Sequence, residues 1–224
     1  MNRHEVFVRH ASEWIARIRN AQKILLVTHV NPDGDAIGSV AGLYAALPQI
    51  TDAHITMVIQ QPIPAYLTWL PSIDKSIAIT DQMPWPHADL IIAVDCASAD
   101  RIGGISHKHA EALHHSTLIQ IDHHATNTQF GVQNLIVPKA CATCEIITEF
   151  LPMLGVTLTP GIATPLLLGL MTDTQSFQIY DTRAETLQLG AKLFAAGADH
   201  ASIVQNVFRS TRREALQLLS LIHI

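Results

Sequence analysis

Imidazoles and carboxylates placed at the ends of apolar runs are the groups in this chain that could do chemistry. The loop Thr28-His29-Val30-Asn31-Pro32-Asp33-Gly34-Asp35 holds one histidine and two aspartates, Asp95 ends a second apolar run, Asp122-His123-His124 follows a third, and Asp173 closes an apolar segment. His29, Asp33, Asp35, Asp95, His123 and Asp173 form a set of nitrogen and oxygen donors with no thiolate among them, which suits Mn²⁺ or a similar divalent ion, with Mg²⁺ as second choice, better than a structural zinc. Four aspartates gathered at one place would repel one another without cations. Two divalent ions would offset that charge, and in such sites, with metals roughly 3.5–4 Å apart, one carboxylate commonly bridges while water is activated for in-line attack on phosphorus. Asp95 is the bridging candidate because it ends the central strand. Asp122 is then expected to orient the loop or an imidazole, and His124 to face a substrate phosphate. A plainer reading stays open for each piece taken alone: an Asn-Pro-Asp-Gly turn, helix-capping aspartates and ordinary loop histidines.

The elements that must position these groups can be read from periodicity. Residues 4–19 place Val6, Phe7, Ala11, Trp14, Ile15 and Ile18 on one helical face, with the charges opposite. Lys23 to Val27 is a short buried strand, and Asp35 to Leu47 is a small-residue helix whose first turn Asp35 is placed to cap. Strands are expected at 54–60, 76–80, 89–96 and 117–121, with a short helix at 66–70, a loop at 81–87 and a polar-sided helix at 104–115. Residues 131–137 read as extended, 142–154 as a helix ended by Gly155, and 160–171 as a helix apolar all round and therefore buried. A helix at 184–196 closes at Gly197, and the chain from 201 onwards is mostly helical. Alternating strands and helices predict an α/β fold with a mainly parallel sheet flanked by helices on both faces. Acids at strand ends then lie at the carboxyl edge, where such sheets bind ligands.

Composition bounds the function further. With 48 % hydrophobic residues, 15 % charged residues and a net charge of −5, the 224-residue chain can bury a core and lacks the broad basic surface that grips duplex phosphates. Any phosphate must be held locally. The three cysteines, Cys96, Cys141 and Cys144, suit a reducing compartment, and the cytoplasm is expected. No apolar run reaches membrane-spanning length and the N-terminus lacks the order of a signal peptide. Cys141-Ala142-Thr143-Cys144 has no second pair to complete a zinc site and reads as the start of a helix.

His29-Val30-Asn31-Pro32-Asp33-Gly34-Asp35-Ala36-Ile37-Gly38-Ser39, Val94-Asp95-Cys96-Ala97, Asp122-His123-His124 and Gly169-Leu170-Met171-Thr172-Asp173-Thr174 stand in the order of the four motifs of the DHH phosphoesterase family. The sequence most resembles the branch of bacterial oligoribonucleases and phosphoadenosine-phosphate phosphatases. The resemblance implies that His29 and Asp33 hold one metal, that Asp35, His123 and Asp173 hold the other, and that Asp95 bridges them. It implies a two-metal phosphoesterase that hydrolyses short single-stranded oligonucleotides, 3′-phosphoadenosine 5′-phosphate or both, and works as a dimer. Family II inorganic pyrophosphatases usually carry threonine where this chain has Gly34, which favours nucleotide phosphoesters over pyrophosphate.

Members of this branch continue through a linker helix into a second domain with a glycine-rich, histidine-containing motif, which is not found here. Residues 1–205 are expected to form the catalytic DHH domain and residues 206–224 to begin the linker, so the chain reads as a shortened form with weak turnover. Two alternatives remain: an inorganic pyrophosphatase, and a non-catalytic module that keeps the metals and acts as a binding partner.

Overall fold

The structure, a computed structural model, describes residues 3–78, 84–103 and 116–209. Within these residues the strands β1 (Lys23–Val27), β2 (His54–Val58), β3 (Leu90–Val94), β4 (Thr117–Asp122) and β5 (Gln133–Ile136) pair in parallel in the order β2-β1-β3-β4-β5. The register sets Val27 opposite Ala93 and Val94 opposite Ile121. Carried past the strand ends, it brings His29, Asp95 and Asp122 level with one another. The three lie along one edge of the sheet.

Alternate strand residues enter two apolar clusters. Ile24, Leu26, Met57, Ile92, Val94, Ile119, Ile121 and Leu135 face a large core shared with the helices α1 (Arg3–Asn20), α2 (Gly34–Ala46), α3 (Thr143–Phe150), α4 (Pro160–Asp173), α5 (Ala184–Ala195) and α6 (His200–Ile203). Leu25, Val27, Val58, Ile91, Ala93 and Leu118 face a smaller cluster roofed by Trp85, Cys96 and Ile102. Burial on both faces is why these strands read as unbroken apolar runs. The helix expected at 104–115 lies outside the described residues, as do residues 79–83 and 210–224.

Helix α1 buries Phe7, Ala11, Trp14 and Ile18, and the rings of Phe7 and Trp14 meet Phe150 edge-on at 5.6 and 5.4 Å. The helix α4 is apolar all round because it is enclosed, as its composition predicts. Three expected boundaries move. Asp33, not Asp35, caps α2: its carboxylate accepts the N–H groups of Asp35 and Ala36, and Asp35 sits inside the first turn. The helix expected at 142–154 is α3 followed by a tighter turn, Leu151–Leu154, because Pro152 has no N–H to continue the ladder. The strand expected from residue 76 is, among the described residues, a single bridge between Ile77 and Val58, and β2 stops at Val58.

Gly34, Gly38 and Gly42 recur every fourth residue and so form one line along α2, turned toward α4. A Cβ on Gly38 would lie 2.4 Å from the carbonyl oxygen of Pro165, and one on Gly34 would lie 2.3 Å from Thr172 Oγ1. Across the contact, a Cβ on Gly169 would lie 2.3 Å from Cys144 Sγ and 2.9 Å from Asp35 Oδ1. At Gly38 the helix α2 therefore meets the backbone of α4, while at Gly34 and Gly42 the side chains of Thr172 and Leu166 fill the space a Cβ would need. Gly38→Ala has a backbone atom, not a flexible side chain, in its way, and is expected to lower stability by about 1–3 kcal/mol. Urea denaturation of the variant checks this, and an unchanged midpoint would show that the helices can part freely.

Candidate metal centre

The order of the strands reverses between β1 and β3, and in open parallel sheets the crevice beyond such a point binds ligands. His29 leaves β1 there and Asp95 leaves β3. The His29 segment is pinned by a bridge to Ile102 and by a 2.8 Å hydrogen bond from Val30 N to Arg101 O. The His29 Nδ1 donates to the Val30 carbonyl at 2.7 Å, so Nε2 is the nitrogen that faces inward. It lies 3.4 Å from Asp95 Oδ2 and 3.8 Å from Asp33 Oδ2. Asp33 divides its labour: Oδ1 caps α2 through the amides of Asp35 and Ala36, leaving Oδ2 for the site.

Asp35 is wholly buried, and the start of α3 holds it: Oδ2 accepts from Thr143 N at 2.6 Å and Oδ1 from Cys144 N at 2.9 Å. Asp95 turns out of β3 in the left-handed region with φ 53°, a conformation that aspartate adopts more readily than most residues. Thr143 Oγ1 donates to its Oδ1 at 3.0 Å. His123 Nε2 lies 3.6 Å from that same oxygen and 3.4 Å from Asp173 Oδ2, and the ring's Nδ1 faces the Ala140 carbonyl at 3.3 Å.

These side chains fall into overlapping groups whose donor atoms lie within 4.8 Å of one another: His29, Asp33 and Asp95; Asp35, His123 and Asp173; and Asp95, His123 and His124. Asp95 turns Oδ2 toward His29 and Oδ1 toward His123. Among the described residues no lysine or arginine pairs with Asp33, Asp35, Asp95 or Asp173. The protonation of the centre records that crowding. Burial, with the Asp95 charge close by, holds Asp35 well above the usual carboxylate range. Burial, then Asp35 and Asp95, push Asp173 up to about 8. Burial pulls His29 down, but the facing carboxylates of Asp33 and Asp95 outweigh it and carry the imidazole to about 10. The centre is short of positive charge, offers only imidazole and carboxylate donors, and fits divalent cations.

Asp122 is buried and turned away from this crowd. Its Oδ1 accepts from His124 Nδ1 at 2.7 Å and from His123 N at 2.9 Å, and its Oδ2 accepts from Asn127 Nδ2 at 2.6 Å. Burial opposes its charge, yet the His124 and Asn127 hydrogen bonds hold its pKa below the usual range, and Asp122 in return raises that of His124. Sequence reasoning misses Thr143 and Asn127. A threonine opening a helix, and an asparagine a few residues beyond Asp122-His123-His124, are the only signals they leave. Cys141 and Cys144 are both free, and Cys144, its thiol pushed well up by burial and by Asp35, lies against Ser39 Oγ at 3.3 Å and supports Asp35 through its amide.

The chain is 35 % identical over 184 residues to the bifunctional oligoribonuclease and PAP phosphatase NrnA of Thermus thermophilus, covering 82 % of this chain and 53 % of that protein. It is 28 % identical over 193 residues to the probable bifunctional oligoribonuclease and PAP phosphatase NrnA of Streptococcus mutans, covering 86 % of this chain and 59 % of the relative. The chain thus spans little more than half the length of these curated relatives. An exopolyphosphatase-related protein from Bacteroides fragilis has the same fold, with a TM-score of 0.81 at 24 % identity over 97 % of this chain and 64 % of that one. The description "DHH family, N-terminal domain" matches residues 23–170, a span that takes in His29, Asp33, Asp35, Asp95, His123 and the glycine contact between α2 and α4, and the chain belongs to the DHH family.

Proposed function

We propose that this chain carries the catalytic centre of a two-metal phosphoesterase acting on short oligonucleotides, on 3′-phosphoadenosine 5′-phosphate, or on both. The observation that carries this reading is the division of Asp95, one oxygen toward the His29 and Asp33 pair and the other toward His123 and Asp173. In this reading His29 and Asp33 hold one ion, Asp35, His123 and Asp173 hold the other, and Asp95 bridges. Mn²⁺ is the preferred ion and Mg²⁺ the second choice. Bound cations supply Lewis-acid activation of water and neutralise charge on the phosphoryl oxygens.

The remaining steps belong to side chains. Val30 and Ala140 carbonyls hold His29 and His123 so that Nε2 faces the carboxylates. Thr143 fixes the rotation of Asp95, and Asp122 holds His124, itself partly exposed, where it can meet a substrate phosphate. Nucleotide phosphoesters are favoured over pyrophosphate by the relatives named above and by Gly34, which Thr172 crowds so closely that the threonine usual in family II pyrophosphatases has no room. Phosphate release from pyrophosphate and from dinucleotides, compared side by side, separates the two substrates.

Titration calorimetry with Mn²⁺ is expected to show binding that Asp95→Asn weakens at least 100-fold. Asp122→Asn is expected to retain the metals while hydrolysis of a dinucleotide falls roughly 10- to 100-fold. Absence of Mn²⁺ binding, or an Asp95→Asn variant that binds like the parent, overturns the assignment.

Metal binding is also expected to depend on pH. A histidine at about 10 and an aspartate at about 8 both carry protons near neutrality in the metal-free protein, and each must lose its proton to become a ligand. The His29 contribution to metal-free stability is full below its unfolded pKa and is lost as pH rises through about 10. Asp173, whose folded pKa is raised, destabilises the metal-free fold progressively as pH climbs from the ordinary carboxylate range to about 8, and by a constant amount above that. The gain in Tm on adding Mn²⁺ should therefore grow from pH 6.5 to pH 8.5, and a gain that shrinks over that range would contradict the ligand roles of His29 and Asp173.

A further inference from the structure

Beside the centre opens a cleft of about 590 Å³ that the proposed roles do not use. His123 and Asp173 are in its lining, and so are Lys139, Tyr180, Arg183 and one further carboxylate, Asp181. Tyr180 is fully exposed at 101 %. A lone exposed aromatic is ordinary, but this ring stands on a tightly tied turn. Residues Gln175, Ser176 and Phe177, which begin two residues beyond Asp173, all adopt left-handed backbone, with φ of 49°, 59° and 65°. Ser176 N bonds Met171 O at 2.7 Å, Phe177 N bonds Thr174 Oγ1 at 2.9 Å and Gln178 N bonds Thr174 O at 2.8 Å, while Phe177 packs on the core. The turn packs one aromatic, partly buried, against the core and presents the other to solvent beside the cleft.

The cleft also brings two cations beside the centre, Lys139 and Arg183. Lys139 is exposed. Arg183 is anchored through Nη2 to the buried Glu145 at 3.1 Å, while its Nε is buried with no hydrogen-bond partner. Glu145 is itself held by Arg3 Nη1 at 2.7 Å, Thr186 Oγ1 at 2.9 Å and Cys141 N at 3.1 Å, so the guanidinium is fixed at the cleft wall. An exposed ring and two cations next to carboxylates match the two halves of a nucleotide: a base to stack and a phosphate to pair.

We infer that this cleft takes the nucleoside flanking the scissile phosphate, its base stacked on Tyr180 and its outer phosphate held by Arg183 and Lys139. The assignment rests on the phosphoesterase reading for the position of the scissile group, and on the cleft alone for the nucleotide. Tyr180 and Lys139 are the residues to vary, because both are exposed and neither supports the core, whereas Arg183 is tied to Glu145.

The test titrates 2-aminopurine riboside 5′-monophosphate, and the unphosphorylated riboside, into the full chain with and without Mn²⁺, reading the fluorescence quenching that stacking causes. The parent and Tyr180→Phe should quench the probe. Tyr180→Ala should not, and should bind it roughly 5- to 100-fold more weakly. Lys139→Met should weaken the monophosphate and leave the riboside unchanged. Equal quenching and affinity in the parent and Tyr180→Ala, or no binding of the monophosphate to the parent under either condition, overturns the inference. Mn²⁺ calorimetry on the same preparations judges the metal reading separately: stacking without metal binding overturns that reading and keeps this one, and metal binding with no effect of Tyr180→Ala does the reverse.

Discussion

The approach of α2 to α4 through Gly34, Gly38 and Gly42 is the contact on which the rest of the site depends. Asp35 belongs to α2 and Asp173 to the end of α4, and they share a group with His123 because the glycines Gly38 and Gly169 let the two helices cross closely. A methyl group added at Gly169 would meet the Asp35 carboxylate itself. The helices can come this close because the other sides of both are enclosed by the main core, which supplies the compression that carboxylate repulsion opposes. Packing and electrostatics therefore act against each other here, and the raised pKa values of Asp35 and Asp173 measure the conflict.

The site relieves that conflict with backbone dipoles before any ion is considered. Two amides at the start of α3 serve Asp35, two at the start of α2 serve Asp33, and Thr143 serves both Asp35 and Asp95. Helix starts are suited to this because their amides lack partners within the helix. Glu145, a little further along α3, has a similar organising role. Burial disfavours its charge, but Arg3 and the surrounding donors hold its pKa below the usual range, and its oxygens tie together α1, α3 and the segment leading into α5.

Much of this was legible in the sequence. The strands that carry His29, Asp95 and His123 are short apolar runs followed by polar residues, and parallel pairing makes a strand's end a fixed place in space. The elements α1, β1 and α4 follow directly from periodicity. What was hidden depends on tertiary contact. Asp33 and Asp35 are both plausible caps by type, and only the path of the chain decides between them. Arg3 lies just outside the helix expected at 4–19 and nothing in its neighbours points to Glu145, yet it reaches that residue far along the chain. Thr143 and Asn127 are common residues whose importance comes from what faces them. The glycine spacing in α2 is visible as letters, but its meaning requires knowing which helix lies opposite.

The side chains of the centre are drawn from segments as far apart as His29 and Asp173, and the chain between them supplies β2, β3, β4 and β5, on whose pairing with β1 their alignment depends. No local stretch can assemble the site in advance, since each closure of a long loop must precede the contacts that repay its entropy. The constellation exists only when the parallel register and the helix crossing are both complete. A ligand that recognises it recognises the native topology alone, so its binding free energy is added wholly to the folded side of the balance.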